Sequence, residues 1–142
     1  MFSIIIPTFN NLNYLRLCLD SIKKNSKFNH EILVHVNDGS DGTIEHLKSN
    51  KISYTHSYKN IGLCSSLNLV AKQSSKKYLL YSHDDMYFCP GWDICLSEEL
   101  NNTKHDLFYF SGTMIEPFRG AHLSYDCGKS IDTFNEKKLI EN

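Results

Sequence analysis

Tyr78-Leu-Leu-Tyr-Ser-His-Asp-Asp-Met-Tyr-Phe-Cys-Pro-Gly-Trp92 joins a short apolar, aromatic run to two adjacent carboxylates and closes on a Pro-Gly turn. The run from Tyr78 to Ser82 reads as a buried strand, because turn residues bound an apolar segment of strand length. Asp84 and Asp85 repel each other, and a bound cation would offset that cost. A hard, oxygen-rich site suits Mg²⁺ or Mn²⁺ carrying a phosphate. In a parallel sheet the end of this strand is also where ligands bind in open α/β folds. Asp84 and Asp85 are therefore the first candidates for chemistry.

Upstream of this stretch, strand and helix patterns alternate. Phe2 to Ile6 is a continuous apolar strand that Pro7 is expected to stop. Asn10 or Asn11 is placed to cap a helix carrying Leu12, Leu15, Leu19 and Ile22 at helical spacing. Glu31 to Val36 reads as a second strand, and Ser40 or Asp41 caps a short helix with Ile44 and Leu47. Ile52 to His56 is a third, more polar strand, and Gly62 to Gln73 is helical with Leu63, Leu67 and Val70 on one face. The order βαβαβαβ predicts an α/β fold: a mainly parallel sheet, right-handed crossovers and helices on both faces. Three polar strand ends, Pro7 to Asn10, Asn37 to Ser40 and His83 to Asp85, then converge at one edge. That is a nucleotide-type site in outline.

Composition narrows the class. With 142 residues the chain suffices for a single domain with a real core, and its net charge of −1 gives no reason to expect nucleic acid as a partner. No apolar run approaches the roughly 20 residues of a transmembrane helix, and the N-terminus does not read as a signal peptide. Five cysteines, an odd number with no CxxC pair, suggest reduced structural thiols and a cytoplasmic setting.

Four segments together resemble the N-terminal part of family 2 glycosyltransferases with the GT-A fold. Ile4-Ile-Ile-Pro-Thr-Phe-Asn10 is similar to the family's V-I-I-P-T-Y-N, and Val36-Asn-Asp-Gly-Ser40 with Asp41-Gly-Thr43 is similar to V-D-D-G-S-T-D-G-T. Asn60-Ile-Gly62 with Asn68 matches part of N-x-G-x-x-x-A-R-N, and His83-Asp84-Asp85 before Pro90-Gly-Trp92 stands at the D-x-D motif. The resemblance covers residues 2 to 93, expected to be the nucleotide-sugar-binding half of a single 1–142 GT-A-like domain. Residues 94–142 are then a short or truncated acceptor-side segment.

By this resemblance the chain is a glycosyltransferase moving a sugar from a nucleotide-diphosphate sugar, UDP-linked, to an acceptor hydroxyl, inverting and metal-dependent. Pro7, Thr8 and Phe9 would line the base pocket, Asp38 would accept from the base, and Gly39 would permit the turn. Asn60 and Gly62 would lie near ribose and diphosphate at a helix start. Asp85 would ligate Mn²⁺ or Mg²⁺, Asp84 would face the ribose or sugar, and His83 would ligate the metal or bond a ribose hydroxyl. The acceptor would be a glycan, a lipid-linked sugar or a protein in polysaccharide or glycan biosynthesis, with room for peripheral membrane association. Leu67 replaces the usual Arg and the segment after Val36 is one residue short, so a relative that binds nucleotide or a partner without catalysis is the alternative. No motif identifies the base; Glu116, His122 and Asp126 are available. A phospho-receiver would need acids after the first strand, and a pyrophosphorylase a Gly-rich basic loop; both are absent.

Overall fold

Strand β1 (Phe2–Phe9) is the middle of the fold because both of its faces are apolar and both need cover. In the computed structural model, which describes residues 1–105, 107–118 and 123–141, it is followed by helix α1 (Leu12–Asn25), β2 (Glu31–Asn37), α2 (Thr43–Ser49), β3 (Ser53–Ser57), α3 (Leu63–Ala71) and β4 (Tyr78–Tyr81). The four strands form one parallel sheet in the order β3-β2-β1-β4. Then come α4 (Trp92–Asn102), β5 (Ile115–Glu116), β6 (Leu123–Ser124) and α5 (Glu136–Ile140). The described residues fall into two units, Met1–Ile94 and Cys95–Asn142, the second holding the small parallel pair β5-β6. The expected α/β architecture with its parallel sheet is what the chain adopts.

Side chains alternate across the sheet, so the register decides which residues share a face. Ile5 lies beside Leu33, and both pack with Val70 of α3, with Leu67 and Ala71 at the margin. Ile4, Ile6, Val34 and Val36 point the other way and are fully buried. Their cover comes from the helices of that layer, where α1 buries Leu15, Cys18, Leu19 and Ile22. Each such side chain contributes about 1.5–3 kcal/mol of apolar burial.

Several local expectations are corrected. Pro7 does not end β1: pairing with β2 continues through Pro7, Thr8 and Phe9. Ile5 turns its carbonyl toward β4, accepting from Ser82 N–H at 3.1 Å, so Pro7, of the same parity, points to a side where β4 has already finished. Its missing N–H costs no ladder bond. The strand expected to be buried, β4, is half exposed, with Leu79 at 53% and Tyr81 at 41%, because it lies at the edge of the sheet. In α3 the buried positions are Ser66 and Val70, while Leu63 in the first turn is exposed.

Neither asparagine caps α1. Asn11 occupies the N-cap position but makes no capping bond; instead Leu12 N–H donates to Asp41 Oδ2 at 2.9 Å. The other oxygen of Asp41 accepts from the Thr43 N–H and hydroxyl at the start of α2, whose N-cap position is Gly42. Partial burial would raise the Asp41 pKa, but the Thr43 hydroxyl and the Leu12 and Thr43 N–H groups hold it below the usual carboxylate range. One carboxylate thus serves the N-termini of two helices, where negative charge is favoured. All five cysteines are free, Cys18 and Cys127 buried. Among the described residues no helix is long and apolar enough to cross a membrane.

Candidate functional site

The C-terminal ends of β1, β2 and β4 and the start of α3 surround a cavity of about 350 Å³. It brings together Pro7, Thr8, Phe9, Asn10, Asn37, Asn60, Gly62, His83 and Asp84 from the expected segments, and adds Asn11 and Leu63. Phe9 leaves half of its surface exposed beside it. Gly62 has φ +82° and ψ 163°, a conformation open to glycine and almost nothing else, which explains this residue at the turn into α3. Asn60 Oδ1 accepts the Gly62 N–H at 2.9 Å and closes that turn.

The two aspartates have different surroundings. Asp84 is half buried, with Oδ2 accepting from the Thr8 hydroxyl at 2.6 Å and Oδ1 from Asn11 Nδ2 at 3.1 Å. Burial raises its pKa above the ordinary range; the Thr8 and Asn11 bonds pull it down, and the charge of Asp85 adds to the rise. Asp85 is exposed and, among the described residues, makes no hydrogen bond or ion pair; it does not line the cavity. His83 is exposed, with Tyr81 OH 2.9 Å from its Nε2. The His83 carbonyl accepts from the Cys18 thiol at 3.7 Å, and burial pushes that thiol up to about 12, so it stays protonated and donates.

Asn37, expected at this edge but given no role of its own, forms the floor. It is buried at the end of β2; Nδ2 donates to the Thr8 carbonyl at 3.2 Å and Ser66 Oγ at 3.1 Å. Its Oδ1 accepts from Ile61 N–H at 3.0 Å and the Ser57 hydroxyl at 3.2 Å. One amide therefore ties together β1, the end of β3 and the turn into α3. The signal available was a lone polar residue closing an apolar strand. Asp38 and Gly39 lie beside the cavity without lining it. Asp38 has φ +65°, its backbone N–H donates to the Ser57 carbonyl at 2.8 Å, and its carboxylate accepts from Ser40 N–H at 3.1 Å. Gly39 is buried and donates to Asn10 Oδ1 at 3.0 Å.

The Pro90-Gly-Trp92 turn is structural. Trp92 sits against Phe2, His30 and Phe88 and donates through Nε1 to Ser26 Oγ at 3.1 Å. Asp93 is fully buried: its Oδ2 accepts from Lys27 N–H, Phe28 N–H and His30 Nε2 at 2.8, 2.8 and 3.0 Å. His35 is packed within β2 between Thr55 and Ser57 hydroxyls, and burial lowers its pKa. Leu67, at the family's arginine position, packs on the Ile5–Leu33–Val70 cluster. In the second unit, Glu116 lies in β5 and Asp126 accepts from Gly128 N–H at 2.9 Å; His122 lies outside the described residues. Among the described residues no three His, Cys, Asp or Glu side chains gather as a metal cluster.

Known proteins agree with this architecture. The chain matches the family model described as Glycosyl transferase family 2 over residues 3–121. It is 42% identical to an uncharacterised glycosyltransferase of Rickettsia prowazekii (strain Madrid E), across 96% of this chain and 43% of the relative. It is 40% identical to another from Rickettsia felis, across 96% of this chain and 23% of the relative. The chain thus spans less than half the length of these curated relatives. S. aureus TarS 1-349 superposes with a TM-score of 0.65 at 21% identity, covering 71% of this chain and 32% of that one. The mannosyltransferase PcManGT from Pyrobaculum calidifontis, in complex with GDP-Man and Mn²⁺, gives 0.56 at 16% identity, covering 66% and 30% of the two chains. Identity that low speaks for the fold alone, and the fold is the same. By the family model and the sequence relatives together, this chain belongs to glycosyl transferase family 2.

Proposed function

We propose that the cavity at the strand ends is the donor site of a sugar transferase, binding a UDP-linked sugar whose sugar passes to an acceptor hydroxyl with inversion. The observation that carries this reading is the convergence of Thr8, Asn11 and Asp84, with Phe9, Asn60 and Gly62, around one cavity at the C-terminal ends of parallel strands. Phe9 offers an apolar face for the base. Asp38, on the turn beside it, accepts from a base N–H. Asp84 accepts from a hydroxyl of the ribose or sugar. The first turn of α3 presents N–H groups toward the diphosphate.

The residues fit a divalent ion held in part by substrate. Asp85 is a solvent-facing carboxylate with its oxygens uncommitted, and His83 stands two residues away; Mg²⁺ and Mn²⁺ sites commonly use one or two carboxylates with phosphate and water completing the shell. When bound, such an ion neutralises charge on the leaving diphosphate. Asp84 orients the donor, and a carboxylate base deprotonates the acceptor; Asp84 and His83 are the titratable groups lining the cavity. Because the Asp84 oxygens are engaged, binding without transfer is the second reading. The acceptor is a glycan, a lipid-linked sugar or a protein, met in the cytoplasm or at a membrane surface.

Thermal unfolding with UDP, GDP, CDP and dTDP, each with and without Mn²⁺, tests the proposal, with Asp85→Ala beside the wild type. A ligand at 100 times its Kd stabilises by about 2.7 kcal/mol. The expected result is a Mn²⁺-dependent shift with UDP that Asp85→Ala loses; no shift with any nucleotide would sink the donor-site reading. UDP binding without donor turnover would select the second.

A further inference from the structure

The Asp84 carboxylate at the cavity is held by two side-chain donors, and one of these anchors comes from a residue outside the family motifs. We propose that Asn11 is a positioning residue of the donor site: with Thr8 it clamps the Asp84 carboxylate in a single orientation, ready to accept from a ligand hydroxyl. The inference rests on the donor-site reading above and deepens it.

Three observations carry it. The two donors engage different oxygens, Thr8 Oγ1 on Oδ2 at 2.6 Å and Asn11 Nδ2 on Oδ1 at 3.1 Å, so the carboxylate cannot rotate without breaking both. An amide nitrogen only donates, and it therefore requires an accepting oxygen opposite it. Finally, Asn11 is available for this task because Asp41 has taken the capping of α1: the Leu12 N–H at the helix start already donates to Asp41 Oδ2 at 2.9 Å. A carboxylate has about four lone-pair sites, so two donors leave acceptor capacity for the hydroxyl of a bound ribose or sugar. Fixing one side chain before binding is worth roughly two- to tenfold in affinity.

The test uses the whole 142-residue chain and UDP with Mn²⁺ as probe, titrated calorimetrically against wild type, Asn11→Ala, Asn11→Asp, Asp84→Asn and the Asn11→Ala/Asp84→Asn pair. Asn11→Ala should weaken UDP roughly two- to tenfold. Asn11→Asp, nearly isosteric but placing a carboxylate against Asp84, should weaken it more. In the Asp84→Asn background Asn11→Ala should cost less than twofold, a non-additivity that a merely structural role would not produce. Equal losses in both backgrounds, or no loss in Asn11→Ala, would overturn the proposal. Urea unfolding of the same proteins without nucleotide separates the two levels. If the wild type binds none of the four nucleoside diphosphates, the donor-site reading falls and the positioning role with it, while non-additive stabilities of Asn11 and Asp84 variants would still establish the clamp. Additive stabilities would overturn the clamp itself.

Discussion

Gly39→Ala is the substitution whose cost follows most directly from the geometry. Gly39 has φ +83°, and a Cβ built there would stand 2.8 Å from Val36 Cγ1 and 2.9 Å from Ile44 Cγ1. The left-handed backbone costs a non-glycine residue about 1–2 kcal/mol. The contacts add an overpacking cost of about 1–3 kcal/mol, because both neighbours are β-branched and stiff at χ1 and Val36 is fully buried. The total is roughly 2–5 kcal/mol, or a fall in Tm on the order of 10 °C for a domain of this size. Gly62→Ala is the control: its φ is +82°, but nothing lies within 4 Å of the added methyl. It therefore carries backbone strain alone, about 1–3 kcal/mol. Urea denaturation of the three proteins gives the difference directly. If Gly39→Ala is no less stable than Gly62→Ala, the clash with Val36 and Ile44 does not exist in solution and the reasoning fails.

Two further substitutions test the electrostatics. Asp84→Asn should leave the ligand-free chain at least as stable at pH 7 while weakening UDP, because burial raises the pKa of Asp84 and ionising it costs the fold. A carboxyl with a raised folded pKa recovers stability as pH falls through that pKa toward the unfolded value near ~3.9, so the variant's advantage should shrink there; an advantage that grows with acid would contradict this. Asp93→Ala removes the acceptor of the Lys27 and Phe28 N–H groups and of the buried His30 ring and should cost about 3–5 kcal/mol by urea unfolding at pH 7. Burial opposes ionisation of Asp93, but the Phe28, His30 and Lys27 donors prevail and lower its pKa. Its stabilisation is therefore present above about pH 4 and fades as pH falls through the folded pKa, so wild type and variant should converge in acid; a constant gap down to pH 2 would refute it.

What was legible in the sequence was whatever depends on neighbours along the chain. Apolar runs and helical spacing fix the order of elements, since each element must bury its own stripe. Pro7 was misjudged because the cost of a proline depends on which strand lies beside it, and β4 stops two residues short. The cap of α1 was misassigned because its acceptor, Asp41, is 29 residues away. The roles of Asn37 and Asp93 went unread for the same reason: an amide or carboxylate looks ordinary until the N–H groups it must satisfy arrive from elsewhere. The glycines were easier, as Gly39 and Gly62 each sit where the chain takes a positive φ.

The pair Asp84–Asp85 shows how far local chemistry reaches. Repulsion between adjacent carboxylates suggested a cation, yet the fold relieves it another way. Asp84 turns inward to the Thr8 hydroxyl and the Asn11 amide, and Asp85 turns out to solvent, where high dielectric screens it. The acidic pair by itself therefore demands no metal. A lone solvent-facing carboxylate holds Mg²⁺ or Mn²⁺ weakly without phosphate oxygens beside it. Metal and nucleotide should then bind as one coupled event, each raising the affinity of the other by the same factor. On the donor-site proposal, the loss on Asp85→Ala should appear in the ternary complex, while Asp84, anchored by Thr8 and Asn11, should act on nucleotide binding.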